Sequence, residues 1–379
     1  MNFALSETQL MIRETALKFA QEELLPTVLE RDEKEEFPHE AVKKMGELGF
    51  MGMMVSEQYG GAGLDTVSYV LAVEEISKVD ASVGVIMSVN NSLVCWGIEQ
   101  YGSDKQKDKY LRDLASGKKL GAFALSEPEA GSDATNQRTT AQREGDYYLL
   151  NGIKNFITNG ANADVVLVMA STDRSKGHKG VSAFIVEKSF PGLSVAKKEK
   201  KLGIRSSDTV SLAFADCRVP RENMINEEGF GIKFALNTLN GGRIGIAAQA
   251  LGIAQASLEA SVRYSKTRKA FDHTIADFQA IQFKLADMAT NVEAARMLTL
   301  RAAALKDRGE DYTTAAAMAK LYASKIAVHS ALEAIQIHGG FGYMKEYHVE
   351  RFLRDAKITE IYEGTSEIQR VVVSRALLQ

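Results

Sequence analysis

The hydrophobic period changes twice along the chain, and that change limits the possible folds more than any other feature. Up to about residue 120 apolar residues recur at helical spacing, interrupted by glycine. Ser6 followed by Glu7 and Gln9 has the composition of a helix N-terminus, and an amphipathic pattern runs from Leu10 through Leu25 to Pro26. A second helix is predicted over Ala41–Leu48, YGGAGLD at 59–65 reads as a turn or loop, and another helix should begin near Thr66. From about 121 to 230 the pattern differs. GAFALSE, DYYLLNG, NFITNG, DVVLVMAST, GVSAFIVEK and TVSLAFADCRV are short β-branched and aromatic runs separated by Gly, Asn and Asp, as strands require. Polar turns leave no room for crossover helices, so a small antiparallel domain is expected rather than a parallel βαβ sheet. From 231 the helical period returns. Ile281, Leu285, Met288, Val292 and Ala295 fall on one face of a long helix, and further alanine-rich amphipathic segments argue for a helical bundle. The fold class is therefore α+β, mostly α, with domains expected at 1–120, 121–230 and 231–379.

A chain of 379 residues is too long for one ordinary core, which agrees with that division. The net charge of -3 gives no electrostatic reason to expect nucleic acid or an anionic membrane as partner. No uninterrupted apolar run approaches the roughly 18 residues of a membrane span. The start, MNFALSETQL, lacks a basic flank, an apolar h-region and an Arg-rich transit pattern, so the expected location is the cytoplasm, or the mitochondrial matrix for a mature form without its leader. Cys95 and Cys217 read as small buried hydrophobes, and the six histidines show no metal-ligand spacing.

No G-x-G-x-x-G fingerprint occurs, including in the glycine clusters at 60–63, 229–231 and 339–342, so other backbone would have to cradle a nucleotide. LSEPEAGSD at 125–133 offers backbone donors and the hydroxyls of Ser126 and Ser132 to an anion or ring heteroatom; a plain polar loop has the same composition. In NGIKNFITNG at 151–160, Phe156 and Thr158 share one face of a short strand, where an aromatic beside a hydroxyl can cover a flavin ring or simply serve as core. IYEGTSEIQR at 361–370 sets Glu363 just before Gly364, so a carboxylate at a tight turn can project into a pocket. A partly buried carboxylate without a cation has a raised pKa, which suits a general base; alternatively Gly364 ends a helix and Glu363 is solvated. GGFGY at 339–343 exposes backbone or stops a helix.

In this order and spacing, the segments resemble the acyl-CoA dehydrogenase family over essentially the whole chain. FALSEPEAGSD at 123–133 is similar to one family signature, and QIHGGFGY at 336–343 followed by RDAKITEIYEGTSEIQR at 354–370 to the second. GGRIGIAAQALGIAQASLE at 241–259 and FQAIQFKLADMA at 278–289 resemble the short-chain, butyryl-CoA branch. The resemblance implies an N-terminal helical domain, a middle β-domain and a C-terminal four-helix bundle, with FAD extended between the last two. By position, Phe123, Leu125, Ser126, Gly131 and Ser132 would line the flavin ring and nearby substrate, and Phe156 and Thr158 would cover the ring; many relatives have tryptophan at position 156. Arg268, Phe271, Gln279 and the Gln336–Gly340 loop, including Gly339, would hold the adenine half across a subunit contact, completed by Thr365 and Glu367. That division implies a homotetramer.

The same resemblance implies that Glu363 removes the α-proton of an acyl-CoA while hydride leaves the β-carbon for the flavin, giving trans-2-enoyl-CoA. An electron-transfer flavoprotein would then reoxidise the cofactor. Ser132, Asn240, Arg243 and Gly364 match substrate-side positions, although close relatives usually carry aspartate where Asn240 stands. Long-chain and isovaleryl branches place their base at the position of Gly242, so those branches are disfavoured. Two rival functions share the fold. An acyl-CoA oxidase usually has an extra C-terminal domain, and a flavin-bearing DNA-binding stress protein needs a basic surface.

Overall fold

The computed structural model describes residues 4–378; Met1–Phe3 and Gln379, at the ends of the first and last expected domains, lie outside the described residues. Helices α1 (Glu7–Phe19), α2 (Val28–Lys34), α3 (His39–Glu47), α4 (Thr66–Val79), α5 (Ala81–Ser88), α6 (Trp96–Tyr101) and α7 (Asp104–Ala115) come first. Strands β1 (Gly121–Ala124), β2 (Thr140–Glu144), β3 (Tyr147–Thr158), β4 (Val165–Ser171), β5 (Val181–Glu187), β6 (Leu193–Lys198), β7 (Thr209–Pro220) and β8 (Met224–Ile225) follow. Helix α8 (Gly231–Thr267), the small hairpin β9 (Lys269–Ala270) and β10 (His273–Thr274), and helices α9 (Gln279–Asp307), α10 (Thr313–His338), α11 (Val349–Thr359) and α12 (Ser366–Leu378) complete the chain.

Local chemistry explains the helix starts. The Ser6 hydroxyl accepts from the Gln9 N–H at 3.2 Å, and the Gln9 side chain accepts from the Ser6 N–H at 3.0 Å, closing a capping box on α1. Asp65 caps α4 by accepting from the Ser68 N–H at 2.7 Å. The glycine-rich stretch at 241–259 forms the middle of the 37-residue α8, which begins where the helical period returns.

The run Ala81–Tyr101 has the length and, with a mean hydropathy of 1.4, the overall composition of a membrane span, although serines and Asn90 and Asn91 interrupt its apolar residues. It is a core helix instead: 94% of that window is buried inside the protein. Asn90 and Asn91, in its π-helical turn Val89–Cys95, are both hydrogen-bonded to buried backbone, Asn90 to Met51 O at 2.8 Å and Asn91 to Phe50 O at 2.8 Å.

The sheet has the order β6-β7-β3-β2-β4-β5-β8, with β1 beside β4. Its hairpin neighbours are antiparallel, as the short polar turns predict, and so is the longer-range pair β3–β7. However, β1 runs parallel to β4, Gly121 opposite Val165 and Ala124 opposite Val168. No crossover helix is needed, because the chain between them makes the 125–139 loop and the β2–β3 hairpin. The continuous apolar run of β4 is buried on both faces: Val165, Leu167 and Met169 join the helical core, while Val166, Val168 and Ala170 pack with Tyr148, Phe184 and Leu212. The helical core is shared between the N-terminal helices and the bundle, with Tyr69 and Ile76 of α4 in one cluster with Ile244 and Leu251 of α8. Cys95 and Cys217 are free and buried, as expected.

Candidate functional site

Glu363 occupies the turn between α11 and α12, and both Glu363 and Gly364 have positive φ, +53° and +94°. The left-handed conformation is costly for a glutamate, so packing on both sides must hold it. The carbonyl of Gly364 accepts from Lys320 Nζ of α10 at 2.8 Å and from Gln369 Nε2 of α12 at 2.8 Å. The glutamate side chain runs onto α8 at Gly242, where a Cβ would lie 2.1 Å from Glu363 Oε2 and 2.7 Å from Leu93 Cδ2. A larger residue there would displace the Glu363 carboxylate or the Leu93 side chain. Although the residue as a whole is half-buried, Oε2 is shut off from solvent and has no hydrogen-bond partner among the described residues.

Burial pushes the Glu363 carboxyl up to about 7, against the opposing pull of Lys320 and then Arg243. The sequence-based picture of a carboxylate without a cation is therefore corrected: two cations, from α10 and α8, face it. Arg243 donates to Asn240 Oδ1 at 2.7 Å, and Asn240 Nδ2 donates to Thr313 Oγ1 at 3.2 Å, so Asn240 is engaged within the protein. Burial lowers the Arg243 pKa, and its Nε is buried without a partner. An orphaned carboxylate oxygen and an orphaned guanidinium nitrogen leave hydrogen-bonding capacity that a polar ligand can use.

Phe123 and Leu125 are buried at the end of β1, Ser126 is half-buried, and Gly131 and Ser132 are exposed. Two residues that sequence reasoning missed anchor this loop. Glu127 and Lys154 form a fully buried ion pair at 2.7 Å, and Glu127 also accepts from the Thr139 N–H at 3.1 Å. Both residues lie inside the quoted motifs, but their alternation with apolar neighbours gave no sign of partnership. Beyond Lys154 a β-bulge interrupts β3, and Phe156 at φ +60° is 66% exposed beside the half-buried Thr158.

A cavity of about 480 Å³ is lined by Tyr264, Arg268, Ile275, Ile337, His338, Gly339, Gly340, Phe341 and Met344. The Arg268 guanidinium lies 5.6 Å from the centre of the Phe341 ring. This cavity brings Arg268, Gly339 and Gly340 together; Phe271, Gln279 and Gln336 are exposed outside its lining. Thr365 lies in the Glu363 turn and accepts from the Ile368 N–H at 3.3 Å, whereas Glu367 is exposed and paired with Arg370 at 3.2 Å. Open space surrounds the Cα of Gly131, Gly339 and Gly340 where a side chain would stand, so their backbone is accessible to a ligand. A cationic guanidinium beside bare glycine backbone suits phosphate, and an exposed aromatic on a bulge suits a planar ring; these residues fit a flavin dinucleotide.

Comparisons with known proteins identify the family. Models of the acyl-CoA dehydrogenase N-terminal, middle and C-terminal domains match residues 6–118, 122–217 and 229–378. The chain is 54% identical over 375 residues to the mitochondrial short-chain specific acyl-CoA dehydrogenase of Rattus norvegicus, covering 99% of this chain and 91% of that relative. Its structure matches butyryl-CoA dehydrogenase from Megasphaera elsdenii with a TM-score of 0.99 at 49% identity, over 100% of both chains. A chain solved in work on the electron transferring flavoprotein of Acidaminococcus fermentans matches with a TM-score of 0.99 at 52% identity, again over 100% of both. With three family models in series along one chain and relatives matched end to end, the protein belongs to the acyl-CoA dehydrogenase family.

Proposed function

We propose that the protein uses FAD to convert short-chain acyl-CoA to trans-2-enoyl-CoA, with Glu363 as the base that takes the α-proton. The carrying observation is the buried, unpartnered Oε2 resting on Gly242, on a carboxyl whose pKa is raised to about 7. A carboxylate so placed is ready to accept a proton at neutral pH without first breaking a hydrogen bond. The α-proton of a thioester is too weakly acidic for a carboxylate alone, so the backbone amide of Glu363 would bond the thioester oxygen and stabilise the charge developing there. Arg243 and Ser132, with Asn240 and Gly364, would hold the CoA side. The names of the rat and Megasphaera relatives support a short acyl chain.

Phe123, Leu125, Ser126, Gly131, Ser132, Phe156 and Thr158 would hold the flavin ring. Arg268, Phe271, Gln279, Gln336, Gly339 and Gly340, with Thr365 and Glu367, would hold the adenine half. FAD, when bound, supplies the hydride acceptor. The three domains at 1–120, 121–230 and 231–379 would act as one homotetrameric subunit in the cytoplasm, or in the mitochondrial matrix, passing electrons to an electron-transfer flavoprotein. Steady-state assays over a straight-chain acyl-CoA series with an artificial electron acceptor test this reading. The expected maximum of kcat/KM is at butyryl-CoA or a neighbouring short chain. A maximum at long chains overturns the chain-length assignment, and no turnover across the series overturns the activity.

A further inference from the structure

Lys320 is the least expected residue in the bundle. It lies on the alanine stripe of α10 with Ala316, Ala319, Ala323 and Ala327, and like them it is wholly shut off from solvent. A buried ammonium is costly unless its position serves a partner. Its one hydrogen bond among the described residues goes to a carbonyl, that of Gly364, and not to a carboxylate.

We propose that Lys320 is a positioning residue for Glu363: its buried ammonium holds the left-handed Glu363–Gly364 turn through the Gly364 carbonyl and faces the glutamate as its counter-charge. The geometry supports the hold on the turn directly. Gly364 O sits between Lys320 Nζ from α10 and Gln369 Nε2 from α12, so the turn is pinned from two helices. The pinned turn directs the carboxylate onto Gly242 of α8.

Several other groups face this pair. Arg243 of α8 faces both Lys320 and Glu363, and Glu360 and Glu367, on either side of the turn, act on Lys320 more weakly than Glu363 does. Tyr69 of α4 and Tyr362 beside the turn are hydroxyls that burial keeps protonated, and Tyr362 donates to Gln249. Lys320 is thus one of two cations on the base and the one that also holds its backbone. Burial draws the Lys320 pKa down to about 8, still above the value of about 7 for Glu363, so most of the positive charge is present at the midpoint of the Glu363 ionisation and it falls away above that.

The inference rests on the reading of Glu363 as the base, and its test separates the two. In the flavin-loaded full-length protein, the Glu363 carboxyl stretch is isolated as the infrared band lost in Glu363→Gln, and its titration is followed in the parent, Lys320→Met and Lys320→Gln. Removing the cation disfavours the ionised form, so the midpoint should rise by about one pH unit or more in both variants, within the range an opposite charge produces. The acid limb of kcat/KM should move the same way, giving about tenfold or greater loss near pH 6 that is partly recovered near pH 9. Lys320→Gln, which keeps a donor for the Gly364 carbonyl, should recover more fully than Lys320→Met. An unmoved carboxyl midpoint in both variants overturns the proposal, whatever happens to the rate. Full turnover in Glu363→Gln would instead sink the base assignment, while a moved midpoint would still support the hold of Lys320 on this carboxyl.

Discussion

A carboxyl with a pKa near 7 is about half ionised at neutral pH, so Glu363, as the proposed base, should tie both rate and stability to pH. Only the ionised form accepts a proton, and kcat/KM should therefore rise with pH through about 7. Glu363→Gln should retain fold and flavin while lowering flavin reduction by ~10²–10⁴-fold, the scale of a lost general base. Stability should move the other way. The folded pKa of about 7 exceeds the ordinary 4.5, so the neutral carboxyl stabilises the fold fully below about 4.5, and that contribution is lost as pH rises to about 7. Relative to the parent, Glu363→Gln should thus gain stability between pH 5 and pH 8, by at most on the order of 3 kcal/mol. Urea unfolding at the two pH values, with rapid-mixing flavin reduction, checks both halves; rapid reduction in the variant would mean another group takes the proton. The turn carrying Glu363 was legible in the Glu-Gly pair, because a glycine after a carboxylate signals a special backbone. Its counter-charges were not legible, because Lys320 and Arg243 reach it only through the packing of α10 and α8.

At the level of elements, the helices were legible wherever caps or periodicity marked them, as at Ser6 and Thr66. The return of the helical period at 231 was legible and marks the start of α8, but the role of Gly242 was not, since it looks like punctuation in one dimension and is a close-approach site in three. The parallel entry of β1 was also hidden, because a strand's partner depends on where the chain returns, not on its own alternation. The Glu127–Lys154 pair shows how such elements are tied, joining the loop after β1 to β3 in the core. Lys154→Met should leave Glu127 buried without its cation and cost about 3–5 kcal/mol, the scale for breaking a buried pair from one side. Glu127→Gln combined with Lys154→Met should restore part of the loss. Denaturant melts of the three variants measure this, and additive losses would show that the two side chains do not act as a pair.

For the whole molecule, one chain leaves apolar surface uncovered where the nucleotide-binding residues are expected. Phe271 is 88% exposed at positive φ, Tyr343 is 79% exposed, and Phe283 lies open on α9. The first nine residues of α9 contain no buried side chain; along the stripe read from the sequence, Ile281 and Leu285 are half-buried and only Met288, Val292 and Ala295 reach the core. Periodicity identified that stripe but could not say which chain covers its start, since one apolar face suits a bundle neighbour and a second subunit equally well. An exposed patch this apolar is expected to be closed by another copy, and a net charge of only -3 opposes association weakly. The predicted link is between assembly and cofactor: Phe271→Ser with Phe283→Ser should lower the mass in light scattering from about four times the 41.4 kDa of one chain and reduce flavin per chain in parallel. Circular dichroism should stay unchanged, because both side chains are exposed and contribute little to the fold of a single chain. Smaller particles that keep one flavin per chain would show that each subunit holds its cofactor alone, and an intact tetramer would show that this surface is not the interface.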